Sequence, residues 1–265
     1  MIAPLAYLDT GFPGRTVECP KTLIFVHGDF SAGVFTWGRQ VQELKDRYRL
    51  VCVDRKGHGR TPAGEERYTF RGDALDLIAT AKSLGIKKAH LVGHSYGALV
   101  ALEATRIEPQ LASSIHLVEA PYLSLLPGDP DVRRLATQSR AGAQLGDAAS
   151  PDEIAFMFFK AVIGAEAAER LREHRAWPSI VRDAGRLTQE EFAADYPASA
   201  IRDIPDVPVF IYSGGKSHPA LRKVSEQLST TFRAPHETFD EAGHDVPKSA
   251  SGFTESLARN VDSTV

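Results

Sequence analysis

Sulfur is scarce in this chain, and long apolar runs and charge of one sign are missing. Of 265 residues, two are cysteine and two methionine, too few for a disulfide framework. Cys19 sits in a polar turn beside Pro20 and Cys52 in the apolar segment Val51-Cys52-Val53. Neither has the CxxC spacing of a redox or metal site, so both read as free thiols, and neither a metal nor a cofactor is expected. No stretch approaches the roughly 18 apolar residues that cross a bilayer, and Met1-Ile2-Ala3-Pro4-Leu5 lacks the basic and then apolar pattern of a leader. A cytoplasmic protein with no membrane partner is the expectation. With 31 basic against 34 acidic residues, interspersed along the chain, the net charge is -3, which offers nucleic acid no basic face.

What the chain does have is alternation. Thr22 to Val26, Leu50 to Val53, His90 to Val92, Ile115 to Val118, Val209 to Tyr212 and Glu237 to Phe239 are short apolar or β-branched runs. Most are too continuous for strands with one face in water. Between them, Trp37 to Tyr48, Gly72 to Leu84, Ser95 to Ile107, Pro219 to Thr230 and Gly252 to Val261 carry helical spacing. This order predicts an α/β fold: a mostly parallel twisted sheet with helices on both faces. An edge strand is expected around Leu5 to Asp9, and fraying at Asp262 to Val265. From about Pro121 to Arg202 the alternation stops and helical pieces marked by Pro130, Pro151, Pro178 and Pro197 take over. The expected organisation is therefore a core of residues 1–120 and 203–265 with a helical cap inserted over 121–202.

The densest chemical signal is Gly93-His94-Ser95-Tyr96-Gly97, set between a strand-like run and a helix-like one. A strand that reverses into a helix without a loop crowds its own backbone, and glycines on either side of the central residue relieve the crowding. Ser95 is thereby left at the apex as a candidate nucleophile. A serine hydroxyl needs a base within hydrogen-bond reach and a carboxylate to orient that base. His244, in Glu241-Ala242-Gly243-His244-Asp245 just after the last expected strand, is the candidate base.

Three further segments complete a resemblance. His27-Gly28-Asp29-Phe30 follows the strand Thr22 to Val26, Asp54-Arg55-Lys56-Gly57-His58-Gly59-Arg60-Thr61 follows the next, and the strand, small-residue loop and His pattern closes the chain. Over essentially its whole length the sequence resembles the α/β-hydrolase superfamily, in its serine-nucleophile branch with a cap. The resemblance implies that the backbone N–H of Asp29, or of Phe30, joins that of Tyr96 as the oxyanion hole. It makes His58 structural. Many members carry the acid in the loop that here reads Ser213-Gly214-Gly215-Lys216-Ser217-His218-Pro219, which holds no carboxylate. The strand Ile115-His116-Leu117-Val118 ends instead in Glu119-Ala120-Pro121, similar to zearalenone-lactonase-like enzymes with a Glu followed by a Pro at this place. Glu119 is then the expected acid, with Asp240 and Asp245 as weaker candidates.

The activity expected from these residues is hydrolysis of a small-molecule carboxylic ester or lactone through an acyl-enzyme. Hydrolysis of a carbon–carbon bond in acidic ring-cleavage products is the alternative, with Arg55, Lys56, Arg133 or Arg134 binding the acid. A non-enzymatic ligand-binding protein on the same fold is another. Dehalogenase and epoxide-hydrolase chemistry needs a carboxylate nucleophile, and Ser95 argues against both. Phe30, Leu125, Met157, Phe158, Trp177 and His218 are expected pocket residues, although ordinary packing between cap and core competes for each. The sequence leaves the oligomeric state open, a homodimer included.

Overall fold

Burial on both faces of the central strands organises the molecule. The computed structural model describes residues 3–13, 21–144 and 148–264; Cys19 lies outside them. β1 (Ala6–Asp9), β2 (Thr22–Val26), β3 (Arg49–Asp54), β4 (Ala89–His94), β5 (Ala112–Val118), β6 (Val209–Gly214) and β7 (His236–Phe239) form one sheet in the order β1-β3-β2-β4-β5-β6-β7. Every neighbouring pair is parallel except the edge strand β1, which runs antiparallel to β3. Successive side chains point to opposite faces, so Leu23 and Phe25 join one apolar cluster and Ile24 and Val26 the other. Because both faces are covered, the strands are apolar throughout.

α1 (Gly33–Leu44), α9 (Val246–Ser249) and α10 (Phe253–Ser263) cover the first face; α2 (Phe70–Ser83), α3 (Tyr96–Ile107) and α8 (Pro219–Phe232) cover the second. α1 begins at Gly33, four residues ahead of the Trp37 start read from periodicity. Its first N–H is held by a distant group: Gly33 N donates to Asp54 Oδ1 at 2.8 Å. The carboxyl tail also departs from expectation. Through Thr264 it is tied down, because Lys21 Nζ donates to the carbonyls of Val261 at 2.8 Å and Thr264 at 2.5 Å.

Between β5 and β6 lie α4 (Pro130–Gln144), α5 (Pro151–Ile163), α6 (Ala165–Arg172) and α7 (Trp177–Leu187). Pro151 occupies the first turn of α5, where its missing N–H costs nothing, and Ser150 with Glu153 forms a complete capping box. Ile154 and Ala155 of α5 pack on Trp177, Ile180 and Ala184 of α7 in a third apolar cluster, which also includes Phe30. Among the described residues, no helix is long and apolar enough to cross a membrane.

The sheet reverses its winding direction between β2 and β4, which are neighbours although β3 lies between them in sequence. In open parallel sheets, ligands bind at the carboxyl ends of the strands flanking such a reversal. Asp29 and Ser95 follow those two strand ends.

Trp37 is completely buried, its ring 4.9 Å from Phe25 and 6.5 Å from Phe253, and edge-on to His94 at 6.4 Å. Trp37→Ala is expected to cost about 3–5 kcal/mol. Urea denaturation checks this.

Candidate active site

Crowding at the β4–α3 junction is severe. Ser95 adopts φ 53° and ψ -126°, a left-handed conformation unusual for a residue with a Cβ. A Cβ at Gly93 would stand 2.3 Å from the Gly97 carbonyl oxygen, and one at Gly97 would stand 2.4 Å from that of Val26. Only hydrogen fits at either position. Phe30 and Glu119, with φ of 52° and 54°, are also left-handed, so strained backbone gathers around one rim.

Ladder register brings that rim together. His94 pairs with Val118 and Val118 with Tyr212, and the hydrogen bonding continues past the strand ends. Ser95 N donates to Val118 O and Glu119 N to Tyr212 O, both at 2.9 Å. His244 Nε2 lies 3.1 Å from Ser95 Oγ, and His244 Nδ1 lies 2.9 Å from Glu119 Oε2. The Glu119 side chain is wholly buried, and its other oxygen accepts from Gly214 N at 2.7 Å. The loop that lacks a carboxylate thus contributes a backbone donor to the carboxylate that stands in for it.

His94 has a role that the sequence did not disclose. Its Nε2–H donates to the backbone carbonyl of His244 at 2.7 Å, with the two rings 5.0 Å apart. Burial, together with the neighbouring His244, drives its pKa far down, so His94 holds the His244 backbone as a neutral imidazole. His27 is similarly fixed: Nε2 accepts from Arg55 N at 2.9 Å, so Nδ1 carries the hydrogen and donates to Gly28 O at 2.7 Å. Burial, then Arg55, lowers its pKa to about 3.

Beside the serine lies a buried charge cluster. Arg55, 1% exposed, donates through Nη1 to Asp73 at 2.8 Å and through Nη2 to Asp29 at 2.9 Å and Glu190 at 3.0 Å. Its guanidinium carbon stands 4.1 Å from the centre of the Tyr96 ring. Burial raises the carboxyl pKa values of Asp29, Asp73 and, most of all, Glu190, while Arg55 opposes each rise. Expected as a possible anchor for an acidic substrate, Arg55 instead has both terminal nitrogens on acidic side chains. Arg133 and Arg134 lie at the exposed surface, Arg134 paired with Asp131, and Lys56 is 3.7 Å from Glu66. His58 is buried with Nδ1 on Lys56 O.

A cavity of about 680 Å3, counted out to where it opens to solvent, covers Ser95 and His244. Pro121, Leu123, Leu135, Phe158, Val162, Leu187, Phe192 and Leu221 wall it, and Asp29, Tyr96, Ser139, Glu190 and Glu191 also reach it. Of the expected pocket residues, Phe158 lines this cavity. Phe30 stands behind it, its ring 4.9 Å from Phe158 and 5.2 Å from Phe159. Phe158 and Val162 share a helix face, so their neighbour Met157 points off it. Leu125 packs against the core. Trp177 ties α7 to α5 through Nε1 to Asp152 at 2.7 Å. His218 caps α8, Nδ1 accepting from Ala220 N at 3.1 Å, and leaves the wall to Leu221. These five expected residues do not line this cavity. Sequence reasoning passed over Glu190 and Leu221 because nothing local marks a residue that reaches a cavity from a distant segment.

A model of the alpha/beta hydrolase family matches residues 23–253. The chain belongs to this family. Among curated relatives, the putative carbamate hydrolase RutD of Stutzerimonas stutzeri (strain A1501) is 32% identical over 108 residues, 40% of each chain. The alignment thus spans about two fifths of that relative's length. Among solved structures, a thermophilic esterase from Thermogutta terrifontis with malate bound superposes with a TM-score of 0.69 at 21% identity, over 97% of this chain and 90% of that one. The N-acyl homoserine lactonase AidH, complexed with N-butanoyl homoserine, gives 0.70 at 18% identity, over 97% and 92%. These likenesses of structure are likenesses of fold. Within this alpha/beta hydrolase, Arg55→Met leaves three buried carboxylates without their cation, and a loss of about 3–5 kcal/mol in stability at neutral pH is expected. Chemical denaturation checks it; an unchanged midpoint contradicts the cluster's role.

Proposed function

We propose that this hydrolase cleaves neutral carboxylic esters or lactones through an acyl-enzyme, with Ser95 as nucleophile, His244 as general base and Glu119 as the orienting acid. The observation that carries the reading is the continuous chain of contacts from Ser95 Oγ to His244 at 3.1 Å and from His244 to Glu119 at 2.9 Å. With Nδ1–H donated to Glu119, the imidazole presents a lone pair on Nε2 to the serine hydroxyl, the tautomer a general base requires. Oγ attacks the carbonyl carbon and its proton passes to Nε2. The backbone N–H groups of Asp29 and Tyr96 receive the negative charge on the former carbonyl oxygen. His244 then protonates the leaving alkoxide, and a water deprotonated by the same nitrogen releases the acid.

The helical segment 121–202 acts as the cap and supplies much of the apolar wall for the acyl or alcohol part. Ester and lactone chemistry fits the esterase and the lactonase that share the fold. Neutral substrates fit because Arg55 already meets three acidic side chains and because Asp29 and Glu191 reach the cavity. The same arrangement weighs against acidic ring-cleavage products. An assay panel of aryl esters, macrolactones and vinylogous diketones tests the reading. Turnover of neutral esters or lactones is expected, and Ser95→Ala is expected to lose roughly a thousandfold or more of it. Wild-type rates no higher than those of Ser95→Ala across the panel contradict it, and favour a ligand-binding role.

A further inference from the structure

The cluster around Arg55 holds one cation against three carboxylates, and two of those carboxylates meet at one nitrogen. Asp29 Oδ1 and Glu190 Oε1 both accept from Arg55 Nη2, at 2.9 and 3.0 Å, so the one nitrogen draws the two carboxyl groups together. With Asp73 on Nη1, three buried acids surround one guanidinium, and two negative charges stay uncompensated away from water unless one acid keeps its proton. The surroundings decide which one. The Glu190 side chain is 4% exposed and that of Asp29 13%. Asp29 faces Arg55 on one side and the cavity on the other. Glu190 faces Arg55, Asp29, Asp73 and His58, whose Nε2 is 3.8 Å from Glu190 Oε1. His58 is held neutral by burial and by Arg55, and so brings no second cation. Asp76 adds further negative potential behind Asp73.

Glu190 is also the point where the segment leaving α7 is tied to the core. Tyr68 N donates to Gln189 O at 3.0 Å and Glu191 N to Tyr68 O at 2.8 Å, so the backbone on both sides of Glu190 is anchored beside the loop that carries Asp29.

We propose that Glu190 is a positioning residue: as a neutral carboxylic acid it donates its hydrogen to Asp29, holding the loop whose backbone N–H faces the oxyanion and keeping a second negative charge away from it. The proposal rests on the ester-hydrolase reading for its catalytic consequence, but not for the proton itself. Burial keeps that proton in place well above the usual carboxyl range. In the native state, therefore, Glu190 holds a proton that the unfolded chain releases above about pH 4.3. The sign follows: native Glu190 lowers stability as pH rises, and Glu190→Gln removes that slope.

Two measurements test it. In urea denaturation between about pH 5 and 8, Glu190→Gln is expected to gain steadily on wild type as pH rises. A difference that stays flat means that Glu190 is ionised when folded and overturns the proposal. In steady-state kinetics, Glu190→Ala is expected to lower kcat roughly tenfold or more with a smaller change in KM. Glu190→Gln, which keeps an N–H donor toward Asp29, is expected to recover most of that loss. Equal impairment of Ala and Gln overturns the positioning role. Absence of esterase activity in wild type defeats the hydrolase reading instead, and leaves the denaturation experiment to decide where the proton lies.

Discussion

The reversal of the backbone at Ser95 is the constraint on which the site depends. β4 passes into α3 with no loop between them, and the contact is closed by the Val26 and His27 carbonyls standing where a Gly97 side chain would be. That approach fixes the spacing between the carboxyl ends of β2 and β4 and the amino end of α3. It carries the His27-to-Phe30 loop alongside the serine, and ladder hydrogen bonds extend the arrangement to Val118, Glu119 and Tyr212. A small error in any of these strand ends would move Ser95 out of reach of His244, because effective nucleophile–base pairs tolerate little misplacement. The strain at Ser95 and Glu119 is held by this surrounding register.

Charge is distributed around the turn with equal consequence. One guanidinium lies under the Tyr96 ring and reaches Asp29, so the two residues proposed to supply the oxyanion donors share a single buried cation. Neutral histidines, His27 and His94, complete the setting as hydrogen-bonding struts. Each has its tautomer dictated by one backbone partner, a N–H for His27 and a carbonyl for His94. The cavity above is walled mainly by apolar side chains, which strengthens the polar contacts within it.

The strands and the Ser95 turn were legible in the sequence because they are local: apolar runs of buried length, and glycines flanking a serine. Glu119 was legible by elimination together with the resemblance, since the loop after β6 offers no carboxylate. The rest depended on contacts between segments far apart in the chain. The start of α1 is set by Asp54, the carboxyl tail is held by Lys21, and Arg55 turns inward because Asp29, Asp73 and Glu190 converge on it. Pocket lining was the least legible. Phe158 and Met157 are adjacent and both apolar, and only the angle at which α5 lies on its neighbours sends one into the cavity and the other away. His218, in the loop where an acid was sought, is used to cap a helix.

The central claim is that Ser95 is activated by a histidine held in place by Glu119. Its most direct measurement is the rate at which a fluorophosphonate labels the protein, with the modified residue located by peptide mass spectrometry. A single adduct on Ser95 is predicted in wild type, with labelling slowed roughly a hundredfold to ten-thousandfold in Glu119→Gln. An adduct elsewhere, or undiminished labelling of Glu119→Gln, contradicts the account.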